Sequence, residues 1–132
     1  MSAPTPWQIV FDGGSLGNPG RGYGTYRLRQ ADEPWSAPVR LEYGNRVTNN
    51  EAEYMTLLAA LEALAGAADP AGVSLEVLGD SQLVLKQLAG EWKVRADNLR
   101  SLHARGRALL RRFGRVKLSW HPRAKSVTLL GH

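Results

Sequence analysis

A chain of 132 residues is the size of one domain, and 43% hydrophobic residues supply a single core while 22% charged residues argue against disorder. The absence of cysteine excludes disulfides, thiolate nucleophiles and thiolate metal sites, so any metal must be held by oxygen or imidazole. The net charge of +5 is split unevenly: five basic groups face ten acidic ones through residue 85, and twelve face two from Lys86 onward, which suits a metal site beside a polyanion-binding surface or simply a basic, solvated one.

Trp7 to Phe11 reads as a strand closed by Asp12-Gly13-Gly14, and Gly17-Asn18-Pro19-Gly20 is a turn. Gly22 to Arg29 and residues 36–43 make two further strands, and hairpin connections among the three imply an antiparallel meander. Thr48-Asn49-Asn50 offers capping groups for a helix from about Asn50 to Ala65, with Leu57, Leu58, Leu61 and Leu64 at helical spacing. Asp69-Pro70-Ala71-Gly72 breaks the chain before a strand from Val73 to Leu78. Ser81 then caps a short helix reaching Ala89, with Gly90 as its stop. A helix from Ala96 to about Arg112 carries Arg100, Arg107 and Arg111 on one face, and Val116 to Trp120 alternates as a fifth strand. After Trp120 there is room for a short helical turn. The order predicts an α/β domain spanning 1–132, with a mixed five-stranded sheet flanked by helices and a last helix short or absent.

Asp12 and Asp80 fall at the ends of predicted strands and Glu53 at a helix start. Strand ends are where α/β sheets gather ligand-binding side chains. Three carboxylates brought together repel one another and need a cation, which with oxygen ligands means Mg²⁺, Mn²⁺ or Ca²⁺. Each also has an ordinary reading: Asp12 as a turn residue, Glu53 as a first-turn acid offsetting the helix dipole, Asp80 as a helix cap.

Three segments resemble the signature blocks of the type 1 ribonuclease H family: Asp12-Gly13-Gly14-Ser15-Leu16-Gly17-Asn18-Pro19-Gly20, Thr48-Asn49-Asn50-Glu51-Ala52-Glu53-Tyr54 and Gly79-Asp80-Ser81-Gln82-Leu83-Val84. Looser likeness continues through Gln87 to Val94 and Trp120-His121-Pro122-Arg123. The resemblance implies a ribonuclease H-like fold and hydrolysis of the RNA strand of RNA/DNA hybrids. In it Asp12, Glu53 and Asp80 would hold two Mg²⁺ ions, Mn²⁺ substituting, set ~4 Å apart to clamp a phosphodiester. Gly13, Asn18, Asn50, Ser81 and Gln82 would line the substrate, and the family's contacts to ribose 2′-hydroxyls distinguish RNA from DNA. Thr48 and Asn49, near a helix N-terminus with free N–H groups, would hold a DNA phosphate. Trp92 would pack beside the DNA strand or, alternatively, serve as a core aromatic.

The resemblance departs at one point. The family's fourth acid falls on Leu130, and no Asp or Glu follows Asp97. Either the chain is truncated or altered there, or it works with three carboxylates helped by His121, His132, Arg123 or the terminal carboxylate, or it binds hybrids without cutting them. The expected partners are an RNA/DNA hybrid and, secondarily, double-stranded RNA, with no membrane, for a cytoplasmic monomer. A strand transferase on the same fold is disfavoured by the Thr-Asn-Asn and Asn-Pro-Gly blocks.

Overall fold

The structure, a computed structural model, describes residues 3–131. Strands β1 (Thr5–Gly17), β2 (Gly20–Gln30) and β3 (Val39–Glu42) form the antiparallel meander. β4 (Val73–Gly79) and β5 (Arg115–Trp120) extend the sheet in parallel with β1, giving the order β3-β2-β1-β4-β5. The helices are α1 (Asn49–Ala67), α2 (Gln82–Leu88), α3 (Asp97–Leu110) and α4 (Arg123–Leu130), with one 3-10 turn at Pro70–Gly72.

β1 does not stop at Phe11. It runs on through the glycines to Gly17, because β2 pairs with it along the whole length to Gly17 opposite Gly20. The parallel ladder with β4, in contrast, ends at Val10 opposite Leu78. Asp12 therefore lies inside a strand yet just past the end of the parallel half of the sheet. The third strand is shorter than expected: Ser36 bonds Leu28 through both its backbone N–H and its hydroxyl, and Pro38 has no N–H for a ladder.

α1 is buried on two sides, with Tyr54, Leu57, Leu61 and Leu64 in one cluster with Ile9 and Phe11 of β1 and Leu99 and Leu110 of α3. A helix sandwiched this way needs apolar residues around much of its circumference, which its run of leucines and alanines supplies. Its start is fixed by a capping box: the Thr48 hydroxyl accepts from the Glu51 N–H, and the Glu51 carboxylate accepts from the Thr48 N–H. Ser81 caps α2 as expected, accepting from the Val84 N–H.

The last helix is short, running from Arg123 to Leu130, and Gly131 after it, with a φ of 74°, closes it in the left-handed conformation. α4 packs against β1 and β2. Leu130 is fully buried, and the Arg27 guanidinium donates to the Leu129 carbonyl and, through Nε, to the Ser36 carbonyl. One arginine thus ties both the end of α4 and the loop after β2 to the sheet. Among the described residues no helix is long and apolar enough to cross a membrane.

Candidate active site

Side chains alternate along β1. Ile9 and Phe11 enter the core beneath α1, and Gly13 faces α1 as well, since a Cβ there would lie 2.7 Å from the Ala52 carbonyl carbon and oxygen and 2.8 Å from the Glu53 nitrogen. Val10 and Asp12 point to the other face. Because Gly13 has no side chain, the first turn of α1 rests directly on β1, and Glu53 extends past the strand toward Asp12. Asp80 follows the last residue of β4, one strand over. Asp12, Glu53 and Asp80 each place a carboxylate oxygen within 4.8 Å of the others.

Two of the trio are buried and Asp80 is half-buried, and burial is costly for like charges. Asp12 is 2% exposed and Glu53 8%. Burial pushes the Glu53 carboxyl well above the usual carboxylate range, the charges of Asp12 and Asp80 raise it further, and the Gly13 N–H acts against this. Gly13 also donates to Asp12 Oδ1 at 2.9 Å. Glu53 Oε2 and Asp80 Oδ2 are buried with no hydrogen-bond partner. Two buried acceptors without a hydrogen bond, in a cluster of three carboxylates, fit a hard divalent cation, which would take up their lone pairs and offset the repulsion.

Arg123, the first residue of α4, reaches the same cluster. Its Nη1 lies 3.5 Å from Asp12 Oδ2 and 3.9 Å from Asp80 Oδ2. The Trp120 indole N–H donates to the Asp80 carbonyl, a contact to the site that the sequence reading did not assign. Its signal was the place of Trp120 at the end of the strand adjoining β4. His121 differs from a surface histidine at a strand end: it is buried, and its ring bonds the buried Ser126 hydroxyl at 2.7 Å. Burial lowers its pKa first, Asp80 raises it, Lys125 lowers it and Asp12 raises it. It is not one of the clustered ligands. His132 and the terminal carboxylate lie outside the described residues.

Among the described residues nothing acidic replaces the fourth acid. Leu130 shares a face of α4 with Arg123, two turns earlier, and is sealed from solvent. Leu130→Asp should therefore lower the unfolding free energy of the metal-free protein by about 3 kcal/mol or more, since it buries an unpaired charge. Urea unfolding in chelator measures this; an unchanged midpoint would mean the position is open to water.

The polar rim is built by the β1–β2 hairpin and the start of α1. Asn18 Oδ1 accepts from the Asn49 N–H at 3.0 Å, and Asn49 Oδ1 accepts from the Ser15 N–H at 2.8 Å. Both side chains use the carbonyl to lock the hairpin tip onto α1 and keep an NH₂ donor. The free N–H groups expected at this helix start are largely taken: those of Thr48, Asn49 and Glu51 all have partners within the chain, because the capping box and Asn18 satisfy them. Asn50 and Gln82 are exposed. Trp92 is 45% exposed, which rules out the core reading, and it lines shallow grooves with Lys93 and Arg95 on one side and Arg100 and Arg107 on the other. Part of the basic stripe on α3 has internal work: Arg107 donates to the Leu88 carbonyl at the end of α2, and Arg100 pairs with Asp97.

Residues 11–128 match the family model described as Reverse transcriptase-like. Ribonuclease HI of Halobacterium salinarum is 44% identical over 114 residues, 86% of this chain and 55% of that protein. The crystal structure of RNase H1 from that archaeon superposes with a TM-score of 0.84 at 39% identity, covering 92% of this chain and 89% of that one. A bifunctional protein of Mycobacterium tuberculosis is 40% identical over 120 residues, 90% of this chain and 32% of that protein. The N-terminal RNase H domain from this mycobacterium, solved as a fusion with maltose-binding protein, gives a TM-score of 0.85 at 34% identity, covering 95% and 88% of the two chains. LC11-RNase H1, solved in complex with an RNA/DNA hybrid, gives a TM-score of 0.84 at 28% identity, covering 93% and 90%. The chain thus spans about a third to about half of the curated relatives' lengths while matching nearly all of the solved domains. With this fold, these three signature blocks and these relatives, the chain belongs to the type 1 ribonuclease H family.

Proposed function

We propose that this chain, acting as one domain, is a divalent-metal-dependent endoribonuclease that hydrolyses the RNA strand of RNA/DNA hybrids. The observation that carries this reading is the trio Asp12, Glu53 and Asp80, gathered within 4.8 Å, with two buried oxygens that accept no hydrogen bond among the described residues. These three residues would hold Mg²⁺, with Mn²⁺ able to substitute; the family resemblance implies two ions. When bound, such ions supply an activated water and offset charge on the scissile phosphate.

The chain's own residues bind and orient. Asn18 and Asn49 keep NH₂ donors at the β1–β2 hairpin and the start of α1, the helix that carries Glu53, joined by the exposed amides of Asn50 and Gln82. Donors at this rim suit the acceptors that a hybrid's minor groove displays, and a contact to the 2′-hydroxyl would mark the strand to be cut. Ser81 and Thr48 act indirectly, by fixing the starts of α2 and α1. Gly13 holds Glu53 in reach by letting α1 rest on β1. Trp92, Lys93 and Arg95 form an exposed aromatic and basic surface suited to the DNA strand's sugars and phosphates. Phosphate contacts position a duplex without reading its sequence, so binding should be salt-sensitive and weakly sequence-selective. The hybrid complex of LC11-RNase H1 supports this choice of substrate.

The missing fourth carboxylate favours a second reading, a module that binds hybrids or double-stranded RNA without cutting. One experiment separates them. Labelled RNA/DNA hybrid and double-stranded RNA are incubated with Mg²⁺ or Mn²⁺ and either the wild-type protein or Asp12→Asn. Hybrid cleavage that disappears in Asp12→Asn supports the nuclease; tight binding with intact strands in both proteins replaces it with the module.

A further inference from the structure

Gln87 is a polar residue of α2 that is only 4% exposed and lies outside the carboxylate trio. A side-chain amide in the core must find a partner for each of its ends. Here the neighbours dictate its orientation. The Lys93 carbonyl can only accept, so Nε2 faces it at 3.3 Å, and Oε1 is left to accept from the Tyr54 hydroxyl at 2.5 Å. Burial raises the Tyr54 pKa, which keeps the phenol a donor. The main chain of Gln87 is held as well: its carbonyl meets Nε2 of His103 in α3 at 3.0 Å, so that nitrogen carries the proton.

The two ends of the amide join different parts of the molecule. Tyr54 follows Glu53 in α1, so one end is tied to the helix that carries a member of the trio. Lys93 lies in the irregular stretch between α2 and α3, next to Trp92 and two residues before Arg95, all three exposed. The Glu91 and Trp92 N–H groups donate to the Lys86 carbonyl and hold the start of that stretch to α2. Beyond Trp92, the backbone of Lys93–Arg95 has a single hydrogen bond among the described residues, the one from Gln87, while the Val94 side chain packs against the core.

We propose that Gln87 is a positioning residue for the hybrid, its buried amide fixing the Trp92–Arg95 segment relative to the helix of Glu53 so that the DNA strand is gripped where the carboxylates can face the RNA strand. The inference rests on the reading above that this aromatic and basic segment meets the DNA strand. Phosphate contacts set the register of a duplex on a protein. A segment released from Gln87 therefore loses a phosphate contact and weakens binding, while Asp12, Glu53 and Asp80 keep their own geometry. The effect falls on KM, and kcat at saturating hybrid is spared.

The test measures steady-state cleavage of a labelled RNA/DNA hybrid in Mg²⁺ at several salt concentrations. Two variants break the tie: Gln87→Met keeps the volume without the amide, and Gln87→Asn keeps the amide but falls one methylene short of Lys93, which covers the case in which Met does not fold. Either should raise KM about tenfold with kcat within about twofold of wild type, and should lower the slope of log KM against log salt by about one. Thr56→Val is the control for stability alone, since it removes buried hydrogen bonds of α1 to Tyr43 and Ala52 and touches nothing in the Trp92–Arg95 segment; it should melt lower and keep the wild-type KM and salt slope. Trp92→Ala reports on the surface itself and should raise KM. Unchanged KM in the Gln87 variants, a loss confined to kcat, or an equal rise in Thr56→Val overturns the inference, and if Trp92→Ala still raises KM the DNA-strand reading survives. Unchanged KM in Trp92→Ala removes that reading and the inference together, and a wild-type protein that cuts no hybrid removes the nuclease reading as well.

Discussion

Replacing Glu53 with glutamine should cost hybrid cleavage on the order of 10³-fold while making the metal-free protein more stable. The substitution keeps size and shape and removes a charge that the fold holds at a penalty. Glu53 is buried beside two like charges and has one oxygen without a donor, while the Gly13 N–H can still be accepted by the glutamine oxygen. Relief of such functional strain is commonly worth about 0.5–2 kcal/mol, or roughly 2–8 °C in Tm for a domain of this size.

The pH dependence has a definite sign. The folded protein holds the Glu53 proton to higher pH than the unfolded chain does, because burial and then Asp12 and Asp80 raise its pKa. Below the ordinary carboxylate value of 4.5 both states are protonated and the penalty is absent. As pH rises through that value the unfolded chain ionises freely and the folded protein resists, so stability is lost until the raised pKa is passed. Glutamine has no such loss. The Tm difference between Glu53→Gln and wild type, measured in chelator from acid to neutral pH, should widen upward from about pH 4.5. A difference that stays flat would remove the electrostatic explanation.

Gly13→Ala should destabilise the protein by about 1–3 kcal/mol and lower cleavage about 10²-fold. Its Cβ would meet backbone atoms of Ala52 and Glu53 at 2.7–2.8 Å, and backbone cannot rotate aside as a flexible side chain can. α1 must lift from β1 and carry Glu53 away from Asp12 and Asp80. Gly66 in the same helix is a matched control, since a Cβ there meets nothing within 4 Å; Gly66→Ala should stabilise by about 0.5–1 kcal/mol. Chemical denaturation and single-turnover cleavage on both variants check the pair. If Gly13→Ala cleaves normally, the close seating of α1 is not what positions Glu53.

Much of this was legible in the chain itself. The turn at Gly17 to Gly20, the cap at Thr48 and the break at Asp69 to Gly72 mark the meander and the first crossover with local chemistry, and the acids at strand and helix ends point to one site. What was hidden depends on contacts far apart in sequence. Asp12-Gly13-Gly14 reads as a turn, yet β2 pairs through it, because sheet context outweighs local preference. α4 has no side-chain cap and little amphipathic pattern; it is held by Arg27, by burial of Leu130 and by the His121–Ser126 bond. The approach of Arg123 to the carboxylates follows from that docking, so spacing alone could not reveal its geometry.

The parallel ladder between β1 and β4 joins segments with α1 and two other strands between them. Closing so large a loop is entropically slow, and contacts of this kind tend to form late in folding. Until they form, Asp12 and Asp80 remain apart and hydrated. The electrostatic burden of the trio therefore falls on the finished molecule and hardly on the path to it, showing up as faster escape from the native basin rather than as a higher barrier to reaching it.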